Sequence, residues 1–269
     1  MLTINVDENQ LKETIQHLSY FEEMSKPSNP YELGSFLIEG VKVTVFKNGK
    51  IFFNKKPPEK VKQVLIDFFI STDNYDGFTI GSDEVGKGEK FGPLIVGACL
   101  LKNKEERSLA RMNGFMDSKQ LSLSQINNIS RISSFKYSIR SITPYYFNIH
   151  FNSNLSSILY DLHSSAIREL VSNNNLDKGK ITIDKFGSSS YENKFKKEFQ
   201  TKEIEVHFVE KAEYDLSVAC ASVYARYEYL NWVKKYENKY NLIFSKMTKD
   251  EIQKFEKSNE IFKLSYIKQ

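Results

Sequence analysis

Apolar positions change their period several times before residue 80, then settle into short apolar runs separated by helical stretches. Leu11, Ile15, Leu18 and Phe21 recur at helical spacing, which predicts an amphipathic helix over about 7–24. The segment SKPSNPYELG, with two prolines and a glycine, ends it. From Gly34 to Phe53 the pattern turns to β-structure: SFLIEG, then VKVTVFKNGKIFF, with Asn48-Gly49 as a two-residue hairpin turn. Such a turn sets Lys47 beside Lys50 and Val45 opposite Phe52. After Pro57-Pro58, EKVKQVLIDFFI predicts a helix with proline at its first turn. The polar STDNYDG at 71–77 reads as a linker. It divides the chain into a small α+β domain, 1–72, and a second domain, 73–269.

The remainder alternates strand and helix. Strands are expected at FTIGSD (78–83), FGPLIVGACLL (91–101), KYSIRSIT (136–143), GKITIDKF (179–186) and EIEVHFVEK (203–211). Helices are expected at 122–132, at SSILYDLHSSAIRELV (156–171) and over the long stretch 216–240. A hairpin followed by strands separated by helices argues an α/β domain built on a mixed sheet.

With 40% hydrophobic and 27% charged residues the chain has enough apolar surface for a packed core, which excludes wholesale disorder. The apolar run Leu94 to Leu101 falls far short of the ~20 residues of a membrane helix, so no membrane association is expected. The acidic start MLTINVDENQ lacks the charged n-region of a secretory signal. Cys99 and Cys220 offer neither a disulfide framework nor zinc spacing, which suits a reducing cytoplasm. The net charge is +4, but it is unevenly spread. Residues 1–40 carry two lysines against seven acids, whereas 41–62 carry seven lysines, Lys47 and Lys50 among them, against Glu59 alone. Such a patch attracts polyanions, nucleic acid first among them, although a solvated lysine face is the plainer reading.

The segment IGSDEVGKGEKFGP (80–93) is the most informative. Asp83 and Glu84 close a strand just ahead of a turn built on Gly86 and Gly88. Neighbours on an extended chain point to opposite faces, so both carboxylates converge only where the strand ends. Two carboxylates beside the backbone N–H groups of a glycine turn suit a hard divalent cation facing a phosphate. A bare Asp-Glu pair is more often an ordinary acidic turn. The glycines at 86, 88 and 92 miss the dinucleotide-binding spacing, and a strand rather than a helix follows them. Asp184 closes the apolar strand ITID, where a charge requires a partner or a metal. Glu213 and Asp215 precede a helix rich in small residues, where the helix dipole favours acids in any case. Together these form an acidic set without histidine or cysteine, which selects magnesium or manganese over zinc. His17, His150, His163 and His207 show no metalloprotease spacing, and no nucleophile elbow or P-loop occurs.

GSDEVGKGEKFGPLIVGA resembles the active-site signature of the type 2 ribonucleases H. Met116-Asp117-Ser118-Lys119-Gln120-Leu121 resembles that family's Asp-Ser-Lys-Lys-Leu motif, Ile183-Asp184 its strand bearing the third acid, and Ala221-Ser222-Val223-Tyr224-Ala225-Arg226 its Ala-Ser-Ile-x-Ala-Arg helix. The most similar branch is ribonuclease HIII, whose N-terminal domain resembles one repeat of the TATA-binding protein; FLIEGVKVTVFKNGKIFFNKK is similar to its hairpin. The resemblance weakens beyond Tyr240, where the family's glycine- and lysine-rich loop is missing, and Lys87 stands where threonine or arginine is more usual.

The resemblance implies a ribonuclease H-like mixed sheet flanked by helices. It implies an endoribonuclease that cuts the RNA strand of RNA–DNA hybrids with Mg2+ or Mn2+, acting as a monomer. By the same carry-over Asp83 bridges two metals, and Glu84, Asp184 and Glu213 complete their shells. Asp215 is the alternative fourth acid, although its place at the helix start suits an N-cap. Gly86, Lys87 and Gly88 would approach ribose 2′-hydroxyls. Asp117 and Lys119 would support the site and the phosphates, as would Ser222 unless it only packs its helix, and Lys47 and Lys50 would track the backbone. The alternatives are ribonuclease HII-like cleavage at single ribonucleotides in DNA and an inactive hybrid-binding protein.

Overall fold

The computed structural model describes residues 1–131, 134–150 and 155–267, with the backbone alone for Glu8, Asn9 and Glu213. They group into two compact units, one of residues 1–76 with 102–116, the other of 77–101 with 117–269.

The first unit holds β1 (Leu2–Asn5), α1 (Glu8–Ser19), β2 (Glu32–Ile38), β3 (Val41–Phe46), β4 (Lys50–Phe53), α2 (Glu59–Thr72) and α3 (Lys104–Met112). Its antiparallel sheet runs in the order β1-β4-β3-β2. Alternation places Phe36, Ile38, Val43, Val45, Ile51 and Phe53 on one face, where Leu11, Leu18, Leu65 and Phe69 of the helices close the core. Asp7 caps α1, accepting the Gln10 amide at 2.8 Å. The helix stops at Ser19, short of the expected 24.

The hairpin differs from expectation. Val45 pairs with Ile51 and Thr44 with Phe52, so Val45 does not face Phe52. Three residues, Lys47 to Gly49, form the turn. A two-residue turn of the Asn-Gly kind needs positive φ at both positions, but only Gly49 adopts it, at +81°. Lys47 therefore lies in the turn rather than across from Lys50.

The division between domains also differs. Residues 102–116 leave the second unit's sheet and join the first unit as α3. Their sequence hides this, because the residue that ties them in is charged. Arg107, only 8% exposed, donates to Asp73 at 2.6 Å and to the Tyr75 carbonyl. Met112 enters the apolar core, and Arg111 reaches Gln10 at 2.7 Å. Asp73 also accepts the Tyr75 amide at 3.0 Å, so the stretch read as a linker is pinned at both residues.

The second unit contains β5 (Phe78–Val85), β6 (Leu94–Leu101), α4 (Leu123–Ile129), β7 (Lys136–Ile142), α5 (Pro144–His150), α6 (Leu155–Asn173), β8 (Gly179–Asp184), α7 (Ser189–Phe199), β9 (Ile204–Val209) and α8 (Leu216–Tyr240). The sheet order is β7-β6-β5-β8-β9. β5, β6 and β7 form an antiparallel meander, while β8 runs parallel to β5 and β9 parallel to β8. Leu159, Ile167 and Leu170 of α6 and Phe195 of α7 pack with Ile80, Val96, Ile181 and Ile183. α8 lies against β5 and β6, so close that a Cβ on Gly81 would stand 2.0 Å from the Val218 nitrogen, and one on Gly97 2.5 Å from the Ala221 carbonyl. The small residues of SVACAS are what permit that approach. Short helices, α9 (Lys249–Lys254) and α10 (Ser258–Ile261), close the chain over a satellite core of Phe244, Ile252, Ile261, Phe262 and Ile267. Among the described residues no helix is long and apolar enough to cross a membrane, and both cysteines are buried.

Candidate active site

β5 and β8 run parallel with Ser82 beside Ile183, so the next residues, Asp83 and Asp184, arrive together at one end of the sheet. β8 stops there, whereas β5 continues to Val85 along β6. The strand therefore does not end at Asp83, as the sequence suggested. Convergence instead works around the C-terminal end of β8. Asp83 interacts with Ser222 of α8, and Glu84 points to His163 of α6; both bend past the end of β8. One carboxyl oxygen from each of Asp83, Glu84 and Asp184 lies within 4.8 Å of the others.

Each acid is held in place by a donor. Asp83 accepts the Glu84 amide at 2.7 Å. Asp184 accepts the Ala212 amide at 3.0 Å. Glu84, its side chain 9% exposed, meets Lys87 Nζ at 3.2 Å and His163 Nε2 at 3.4 Å; the second contact is too poorly aligned for a full hydrogen bond. His163 is wholly buried. Its Nδ1 lies 2.6 Å from Ser82 Oγ, and its ring stacks on Phe186. Burial, the neighbouring Glu84 charge and Asp184 together push the Asp83 carboxyl up to about 7. Burial also works to raise Glu84, but His163 and Lys87 outweigh it and hold that carboxyl below its ordinary value. Two acids side by side thus take opposite shifts: for Asp83 burial and like charge outweigh its bonds to Ser222 and the Glu84 amide, whereas for Glu84 the partners His163 and Lys87 outweigh burial.

This donor set fits a hard divalent cation. Its groups are all carboxylate oxygens, the ligand type such cations take.

Other expected site residues fall around this centre or elsewhere. Gly86, at φ +89°, brings its Cα so near Pro93 that a Cβ would stand 2.1 Å from the carbonyl; the exposed Gly88 has nothing within 4 Å of that position. Asp117 caps the single turn Ser118–Gln120, accepting the Lys119 amide at 3.0 Å, and Lys119 is exposed. Ser222 is 5% exposed and lies beneath the site, bonded to Ser118 Oγ at 2.8 Å as well as to Asp83. It supports an acid rather than facing solvent. Lys47 and Lys50 belong to the first unit. The Glu213 side chain lies outside the described residues; its backbone forms the single turn Ala212–Tyr214. Asp215 caps α8 through the Ser217 amide at 2.9 Å, and its other oxygen takes Lys180 at 3.0 Å and Thr182 at 3.1 Å. Burial opposes its charge, but Lys180 and Ser217 hold the carboxyl below its ordinary value. Among the described residues it is not part of the acidic cluster.

A family model described as Ribonuclease HII matches residues 80–261. The chain belongs to the ribonuclease HII family. Its relatives include ribonuclease HIII of Streptococcus thermophilus, 31% identical over 84% of this chain and 81% of that protein. Ribonuclease HIII of Chlamydia pneumoniae is 29% identical over 75% and 71%. Among solved structures, Bst-RNase HIII in complex with Mn2+ superposes with a TM-score of 0.63 at 22% identity, covering 99% of this chain and 96% of that one. Aquifex aeolicus RNase H3 gives 0.56 at 23%, over 98% and 99%. The expected family and α/β fold are both upheld, and the chain is an enzyme of the ribonuclease H class. The matched region extends past Tyr240 to Ile261, beyond the point where the motif resemblance weakens.

Proposed function

We propose that this chain is an endoribonuclease that hydrolyses the RNA strand of RNA–DNA hybrids, using Mg2+ or Mn2+ held by Asp83, Glu84 and Asp184, with Glu213 as the fourth acid. The observation that carries this is the three-carboxylate cluster at one end of the sheet, beside a glycine turn and without nitrogen or sulfur donors. When bound, such cations activate a water and stabilise the leaving 3′-oxygen. The chain's own groups set the geometry. The Glu84 amide and Ser222 orient Asp83, the Ala212 amide orients Asp184, and His163 and Lys87 orient Glu84. Asp83 acts as a ligand only when deprotonated. Gly86, Lys87 and Gly88 meet the ribose, Asp117 and Lys119 lie near the phosphates, and Lys47 and Lys50 add sequence-independent phosphate contacts.

A labelled RNA–DNA hybrid, assayed beside a DNA duplex with one embedded ribonucleotide, tests the reading in Mg2+, in Mn2+ and in EDTA. Metal-dependent cleavage within the hybrid's RNA is expected. Cleavage of the single-ribonucleotide duplex alone would transfer the chain to the ribonuclease HII-like activity. Binding without cleavage in either metal would leave it an inactive hybrid-binding protein.

A further inference from the structure

Lys263 is the one lysine on the buried side of the described core, at 0% exposure. A buried ammonium is costly unless its protons are used. Here Nζ donates to the Gly86 carbonyl at 2.7 Å and to the Glu89 carbonyl at 3.2 Å, and it stands 5.5 Å from the Phe147 ring centre. Three residues on, the Tyr266 hydroxyl donates to the Lys87 carbonyl at 2.7 Å. The backbone follows suit: the Lys263 amide donates to the Lys90 carbonyl at 2.8 Å, and the Gly92 amide to the Ile261 carbonyl at 2.9 Å. Asn148 of α5 fastens this segment in turn, donating to the Phe262 carbonyl and accepting the Leu264 amide, each at 2.8 Å. The C-terminal segment is thus a row of donors aimed at the carbonyls of residues 86–90.

A planar trans peptide points its C=O and the following N–H in opposite directions. Fixing the Gly86 and Lys87 carbonyls toward Lys263 and Tyr266 therefore turns the amides of Lys87 and Gly88 away from that segment. Among the described residues neither amide meets an acceptor. We propose that Lys263, seconded by Tyr266, is a positioning residue that holds the Gly86–Lys87–Gly88 turn with two amides presented to an oxygen of the substrate, the ribose 2′-hydroxyl or the adjoining phosphate. This rests on the reading of the chain as a hybrid-cleaving enzyme. The sequence gives no hint of it, because the burial of Lys263 is created by α5 and the glycine loop.

The test compares wild type with Lys263→Met, Lys263→Arg and Tyr266→Phe, the last removing only a hydroxyl. Hydrogen exchange of the 86–92 amides is measured without metal or substrate. Steady-state cleavage of a hybrid is measured in Mn2+, and affinities for a hybrid and for the matching DNA duplex are measured in Ca2+. Faster exchange is expected in Lys263→Met at Glu89 and Gly92, whose amides donate to the Gly86 and Ile261 carbonyls. A fall in kcat/KM of about tenfold or more for Lys263→Met, and about threefold for Tyr266→Phe, is the size one or two lost hydrogen bonds produce. The preference for hybrid over DNA should narrow, with Lys263→Arg restoring part of it and the Mn2+-induced rise in Tm unchanged. If wild type cleaves hybrids and both Lys263→Met and Tyr266→Phe keep its exchange, kcat/KM and hybrid preference, the positioning role is wrong and the enzymatic reading stands. If wild type neither cleaves nor prefers hybrids, the enzymatic reading fails, and exchange at Glu89 and Gly92 alone decides whether Lys263 holds the turn.

Discussion

Replacing Asp83 with asparagine separates what the acidic cluster costs from what it does. The amide keeps the shape of the carboxyl and an oxygen for the Glu84 amide, which Asp83 accepts at 2.7 Å, while its –NH2 gains Glu84 and Asp184 as acceptors. In the wild type, burial and like charge raise the carboxyl from 3.8 to about 7. Between those pH values the folded chain retains a proton that the unfolded chain has released. Stability without metal therefore falls as pH rises from about 4 to 7, and the full penalty persists above that. The ceiling on this penalty is about 4 kcal/mol, and relaxation with water entry brings the expected effect to about 2 kcal/mol. Asp83→Asn should then melt about 4–8 °C above wild type at pH 8 in EDTA, with the gain gone at pH 4. Adding Mn2+ reverses the order, because only wild type gains binding free energy, about 2.7 kcal/mol at a hundredfold excess over Kd. Thermal melts at the two pH values, with EDTA or Mn2+, read all of this, and hybrid cleavage is followed in parallel. A variant no more stable than wild type at pH 8 in EDTA would refute the like-charge account. Retention of more than about a tenth of the wild-type rate, a loss under ~1.4 kcal/mol, would refute the assignment of Asp83 as a metal ligand.

Three further outcomes follow from other parts of the molecule. Gly81→Ala forces a Cβ to within 2.0 Å of the Val218 nitrogen and should cost about 1–3 kcal/mol or more in denaturant melts; unaltered stability would mean that α8 yields freely. Glu213→Gln should abolish turnover with little change in Tm, whereas Asp215→Asn, which weakens the bond to Lys180 and the helix cap, should lose about 1–3 kcal/mol and keep its turnover; the reverse pattern would make Asp215 the fourth acid. Lys47→Gln and Lys50→Gln should each lower the slope of log affinity against log salt for a hybrid by about 0.9, and unchanged slopes would reduce both lysines to solvated surface.

The sequence announced what local pattern controls. The apolar runs of β5, β6, β8 and β9 lie within a few residues of expectation because each buries its apolar side chains in the sheet's own core, and the long α8 does so because it packs along β5 and β6. β1 escaped notice, since four residues beside an acidic helix form a strand only by pairing with β4. α3 was unread because its sequence KEERSLARM is highly charged, and its anchor, Arg107, is a buried ion pair rather than an apolar stripe. Asp83, Glu84 and Asp184 were visible as acids at strand ends, and the structure brings them together. No role for His163 was read from the sequence; its contact with Glu84 depends on where α6 crosses β5. Ser222 was open between packing and contact with the nucleic-acid backbone, and its site under Asp83 follows from the tight seat of α8.

That the acids meet at all depends on strand direction. Were β8 antiparallel to β5, Asp184 would lie near Phe78, about five residues or ~17 Å from Asp83. The parallel pair instead delivers both acids to one end of the sheet, and the early stop of β8 lets Glu84 turn in from the opposite face. The antiparallel pair with β6 then carries β5 on to Val85, which sets the glycine turn just beyond the carboxylates. On one side of that turn stands the acidic cluster; its carbonyls are fastened by Lys263 and Tyr266. Electrostatic repulsion is thereby concentrated in one carboxyl, Asp83, inside a frame fixed by α8, α6 and the C-terminal segment. Such a frame resists moving apart, so the repulsion that relaxation leaves is relieved by a proton or a cation.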